Sequence, residues 1–143
     1  MSQLSTEGLE KLKNLLSSEE GRRLNTYEDT RGFLSIGVGR NLRAKGISQD
    51  EAMYMLNNDI LEMTKQLDEN LLYRSLDDVR KIVILDMSFN MGVHEMFAFK
   101  EMLACLAHQD FKGASDAMLA SEWAKQVPNR AQKLAYLMEF GKL

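Results

Sequence analysis

Proline, cysteine and tryptophan each occur once in the 143 residues, and histidine twice. One proline beside nine glycines leaves no stretch that reads as a linker, so a single compact domain is expected. A lone Cys105 excludes an intramolecular disulfide, and its setting in EMLACLA predicts a small buried hydrophobe rather than a nucleophile. His94 and His108 stand fourteen positions apart with no Cys or carboxylate at ligand spacing, so no metal site is expected and both histidines read as solvated. No cofactor is expected either, because GVG before Arg40 lacks the rest of any nucleotide-binding fingerprint. A net charge of -3 and a pI near 5.4 give no basic field, which argues against nucleic acid as a partner. The start, MSQLSTEGLEKLK, has charges where a signal peptide needs an apolar core, and no later run is long enough to span a bilayer. Neither a signal peptide nor membrane insertion is therefore expected, and a monomer is the default.

The remaining composition is 45% apolar and 27% charged, in a chain long enough to bury about two-thirds of its unfolded surface. Leu9, Leu12 and Leu16 recur at i, i+3 and i+7, one face of a helix, with Ser5 or Thr6 as N-cap and Gly21 just past the end. Four positions on, the same stripe reaches Glu20. A carboxylate there has two equal readings: it points towards the core or a cleft, or it lies on the surface of a fraying last turn. In the first case it sits at the unfavourable end of the helix dipole and needs a cationic partner.

A small hairpin follows. Leu24 to Tyr27 reads as a short strand, EDTRG has the Asp and Gly of a turn, and FLSIGVG alternates as the returning strand. In this arrangement Asp29 begins the turn and Ser35 faces out. Gly37 and Gly39 mark either a groove wall, where close backbone approach is wanted, or a bulge. Ser48 with Glu51 forms a capping box ahead of a long amphipathic helix bearing Ala52, Met55, Leu56, Ile60, Met63 and Leu67 on one side. Ser75 with Asp78 repeats the box before KIVILDMSFNMG, apolar on nearly every face, as in the buried centre of a helical bundle. Shorter helices are expected over residues 98–107, 110–120 and 128–140, with Pro128 suited to a first turn. Most of the ten methionines fall at core spacings within these helices.

Two carboxylates beside a hairpin suit one reaction class. Glycoside hydrolysis needs one acid to protonate the leaving oxygen and a second, ionised, to activate water or bear charge. Glu20 and Asp29 fit that requirement, although two acids nine positions apart are common by chance.

Longer motifs are more specific. Glu20-Gly21 after the helix, Y-x-D-T-x-G around Asp29 and S-I-G-x-G from Ser35 resemble the catalytic segment of the phage-type lysozymes, the family of the T-even bacteriophage enzyme. SLDDVRKIVILDMSFNMG resembles that family's central helix with its Phe-x-Met-Gly ending, and EWAKQVPNRAQ its Trp-x-x-Gln-x-Pro-Asn-Arg-Ala block. The resemblance runs from about Leu15 to the C-terminus.

The resemblance implies an α+β, predominantly α, lysozyme-like domain over residues 1–143 with two lobes. A hairpin lobe (about 22–45) would be joined by a connecting helix (about 48–69) to a helical lobe (about 1–20 and 70–143). It implies Glu20 as general acid, Asp29 as second carboxylate and Ser35, where the family has Thr, as the hydroxyl that helps hold the attacking water. Arg130 would pair with Glu20; Gly39, Phe89 and Asn90 would meet substrate. Arg40 replaces a family histidine and Asp59 matches a family aspartate, so an Arg40–Asp59 ion pair is expected. Met102 and Ala117 stand where polar groove residues are common, Val127 replaces a capping Thr, and the chain is shorter between Leu42 and Lys45. The implied function is a muramidase, an endolysin cutting peptidoglycan between N-acetylmuramic acid and N-acetylglucosamine with inversion; the alternative is a glycan-binding or regulatory domain that does not cut. The implied location is the host bacterial cytoplasm before release to the periplasm and cell wall.

Overall fold

The computed structural model, which describes residues 3–143, resolves into two compact units, Met1–Tyr54 and Met55–Leu143. In the first, the Ser5 hydroxyl accepts the Gly8 N–H at 3.0 Å and starts helix α1, Thr6–Glu20. Gly21, at φ 80°, ends it. The apolar stripe of Leu9, Leu12 and Leu16 forms, but α1 buries none of its side chains. This helix, expected with the helical lobe, groups with the sheet instead, because it enters the first strand directly and its last residue rests beside the sheet's second turn.

The sheet has three strands, β1 (Arg23–Glu28), β2 (Leu34–Gly37) and β3 (Arg40–Asn41), in that spatial order and antiparallel throughout. A two-stranded hairpin was the expectation; the added strand arises because Val38 and Gly39 turn the chain back, with Gly39 at φ 72°, a conformation that favours glycine. Ser48 and Glu51 close the expected capping box, with Glu51 N–H donating to Ser48 Oγ at 3.1 Å and Ser48 N–H to Glu51 Oε1 at 2.8 Å. Helix α2, Gln49–Leu67, begins there and continues into the second unit.

That unit is helical: α3 (Leu71–Ser75), α4 (Asp78–Met91), α5 (Val93–Phe97), α6 (Lys100–Ala107), α7 (Phe111–Leu119), α8 (Glu122–Gln126) and α9 (Pro128–Phe140). α4 and α7 pack on α9, and α6 packs on α7. The core gathers Val83, Ile84 and Met87 of α4 with Met96, Met102, Met118, Met138 and Leu134. Trp123 meets Phe99 edge-on at 6.0 Å and donates its indole N–H to Asn90 at 2.8 Å. The expected box of Ser75 and Asp78 does not form. Asp77 caps α4 through the Arg80 N–H at 2.8 Å, while the Ser75 hydroxyl donates to the Leu72 carbonyl at 2.6 Å, closing α3 instead. Cys105 is only partly buried; burial and the neighbouring Asp110 carboxylate push its thiol above the ordinary range.

Arg80 organises this unit's C-terminal end. Its Nε donates to the Met138 carbonyl and Nη2 to that of Glu139, both at 2.8 Å, its Nη1 reaches Asp77 at 2.9 Å, and its guanidinium lies 3.7 Å from the Phe111 ring centroid. The cation therefore satisfies carbonyls that α9 leaves open and sits at the negative end of its dipole. Gly141 follows in a left-handed turn (φ 66°), and a β-carbon there would collide with Arg80 Nη1.

Arg80→Ala is expected to lower unfolding free energy by about 3 kcal/mol, because it leaves buried carbonyls and Asp77 unpaired. Lys112→Ala, which breaks the exposed ion pair to Asp116, is expected to leave stability close to that of the parent. Urea denaturation followed through Trp123 fluorescence measures both.

Candidate active site

Glu20 is the last residue of α1 and its carboxylate is exposed. Its distal half lies over the backbone of the β2–β3 turn: a β-carbon built on Gly39 would stand 3.1 Å from Glu20 Oε2 and 3.4 Å from its Cδ. Of the two sequence readings of Glu20, the surface one describes its exposure, and the contact with Gly39 gives that surface carboxylate a fixed neighbour.

Asp29 opens the β1–β2 turn, as its Asp-Gly chemistry predicts. Its Oδ1 accepts the N–H groups of Arg31 and Phe33, both at 2.8 Å, while its own N–H donates to the Phe33 carbonyl at 2.9 Å. The Phe33 N–H is the chief cause, with Arg31 adding its amide and its positive charge, of a carboxyl held below the ordinary 3.8 against the opposing cost of desolvation. Asp29 is thus ionised wherever the fold persists at neutral pH.

Ser35 departs from its expected orientation. It is 2% exposed rather than facing out: β2 alternates so that Leu34 takes the exposed face and Ser35 the opposite, buried one, and Ser35 pairs in register with Tyr27 of β1 and Asn41 of β3. Its hydroxyl donates to the Phe33 carbonyl at a long 3.3 Å. Phe33 accordingly links the two groups, offering its N–H to Asp29 and its C=O to Ser35.

Arg40 is paired, but not with Asp59. Its Nη1 and Nη2 grip the two oxygens of Glu51 at 2.8 and 2.9 Å, and Nη1 also reaches the Gly46 carbonyl at 3.1 Å. The correction has a physical cause: Glu51 is held at the start of α2 by the Ser48 capping box, and a fixed carboxylate suits the planar fork of arginine. Asp59 lies further along α2, exposed and in the second unit. Arg40, then Ser48, pull Glu51 from an ordinary 4.5 to about 2.

The second unit holds the other predicted residues. Phe89 and Asn90 are exposed on α4, although Asn90 already accepts from Trp123. Arg130 donates its Nε to Asp86 at 2.7 Å. These two line a cleft of about 420 Å³ whose other walls are Leu56, Ile60, Met63, Ile82, Leu85 and Phe89. The expected partner of Arg130, Glu20, belongs to the first unit; within the second, Arg130 pairs with Asp86. Asp86 and Glu51 were missed as partners; the first carried a signal, an acid inside the apolar run IVILDMSF, which needs a cation or water.

The sequence pattern of the phage lysozyme family matches residues 17–139, which include Glu20, Asp29, Ser35 and Arg130. The chain belongs to the phage lysozyme family. Among relatives of this phage lysozyme family member, "Probable T4-type lysozyme 1" of Dictyostelium discoideum is 28% identical, over 92% of this chain and 95% of that protein. "Endolysin" of Salmonella phage P22 is also 28% identical, over 90% of each. "Pre-baseplate central spike protein Gp5" of Enterobacteria phage T4 is 22% identical over 92% of this chain, which corresponds to 28% of that larger protein.

The Arg40–Glu51 pair makes the hairpin acid-sensitive. Glu51 has its folded-state value depressed, so its contribution is complete above the ordinary 4.5 and is lost as pH falls towards about 2. Amide-exchange protection in β2 and β3 is expected to be lower in Glu51→Gln than in the parent at neutral pH. The gap should close through that acid interval, and a gap independent of pH would contradict the pairing.

Proposed function

We propose that the protein is a muramidase that hydrolyses the β-1,4 bond between N-acetylmuramic acid and N-acetylglucosamine in peptidoglycan, with inversion. The observation that carries the reading is the asymmetry of the two acids. Asp29 is kept ionised by two amides of its own turn, while the Glu20 carboxyl rests beside Gly39 on the β2–β3 turn. Family membership supports the same assignment.

In this mechanism Glu20 gives its proton to the glycosidic oxygen as the bond to the anomeric carbon breaks. Water attacks that carbon from the opposite face, and its proton passes to Asp29. Ser35 helps to hold the water. Its only protein partner among the described residues is the distant Phe33 carbonyl, so the hydroxyl can turn to a better acceptor while its oxygen receives a bond. Arg130 is anchored by Asp86 through Nε. Phe89 and Asn90 supply an apolar surface and an amide for sugar. The protein would accumulate as a monomer in the bacterial cytoplasm and act on the wall after release.

Turbidity of purified peptidoglycan tests the reading. The parent should clear it, Glu20→Gln should be slower by about 100-fold or more, and Ser35→Ala by about tenfold with Ser35→Thr near the parent. The first product resolved by anomer should be α. A β-anomer at first turnover would overturn inversion; sedimentation with glycan but no clearing by the parent would replace hydrolysis with binding.

A further inference from the structure

Gly37 and Gly39 share a φ of 72°, yet only one of them faces an acid. A β-carbon at Gly37 would meet nothing within 4 Å, whereas one at Gly39 would stand 3.1 Å from Oε2, 3.4 Å from Cδ and 3.6 Å from Cγ of Glu20. Those three atoms are the reactive half of that side chain. Conformation alone would explain a glycine at either position equally; the contact distinguishes them.

We propose that Gly39 is a positioning residue for Glu20, and that its lack of a side chain is what allows the carboxylate to lie on the β2–β3 turn. This inference rests on the muramidase reading for its catalytic consequence. Gly39, expected from the sequence to touch substrate, is assigned instead to the acid. A methyl group at 39 crowds Oε2 closer than ordinary van der Waals contact, and the flexible glutamate yields by rotating away rather than the turn opening. Proton donation depends on hydrogen-bond reach to one oxygen, so a small displacement acts on the chemical step. Sugar contacts made elsewhere are untouched, so binding is spared.

The matched pair Gly39→Ala and Gly37→Ala tests this, since both introduce the same strain at positive φ and only one introduces the contact. Both should lose similar stability. Gly39→Ala alone should lower kcat, by about tenfold, with KM within about twofold of the parent, and it alone should shift the side-chain carboxyl ¹³C resonance of Glu20. Should Gly39→Ala not fold, Gly39→Asn carries the same β-carbon on a residue that tolerates positive φ. Equal kcat in the two folded variants, or a Glu20 resonance that moves in neither, would overturn the positioning role. A parent that clears no peptidoglycan sinks the muramidase reading, and the resonance comparison then decides the Gly39 contact by itself.

Discussion

Two amide N–H groups converge on one oxygen of Asp29, and most of the hairpin's chemistry follows from that. The bonds from Arg31 and Phe33 fold the turn on itself, fix the carboxylate and stabilise its charge in one arrangement. Because Phe33 also accepts from Ser35, moving the turn would move the buried hydroxyl with it. The proposed base and the hydroxyl proposed to hold its water are thus set by local backbone geometry, which needs no long-range ion pair.

The second unit solves a different problem. Two charged residues of its central helix α4 are matched to partners on α9: Arg80 to the carbonyls at the end of α9 and Asp86 to Arg130 at that helix's beginning. Both ends of α9 are therefore tied to the same central helix. Val127 offers α9 no side-chain cap, and the first-turn proline removes one amide that would otherwise need a partner.

Much of this was legible in the sequence where signals are local. Ser5, Gly21, the Ser48 box, Gly92 and Pro128 delimit helices as their capping chemistry predicts, and the Asp-Gly turn at Asp29 is found in place. β3, with two residues, is too short to have a period, and the five-residue helices α3, α5 and α8 are little more than one turn. Missing β3 turned β2 from a central strand into an edge, and the alternation of FLSIGVG does not by itself say which of its two faces is covered, so Ser35 was read on the open one. Competition between neighbours hid the rest: three candidate caps stand between Ser75 and Asp78, and the helix that supplies Arg40's partner carries four acids. Sequence spacing names such candidates; only packing selects among them.

The methionine-rich core bears on redox chemistry as well as on packing. Met87, Met96, Met102, Met118 and Met138 are each 0% exposed, while Met53 and Met55 are 56% and 47% exposed. A peroxide that converts thioether to sulfoxide therefore meets two kinetic classes in one chain. The α2 methionines react in the folded protein, whereas the core sulfurs wait for the Met55–Leu143 unit to open, and a polar sulfoxide formed there cannot be packed again as before. Oxidative damage to that unit would consequently be self-advancing, slow to begin and hard to reverse without a reductase.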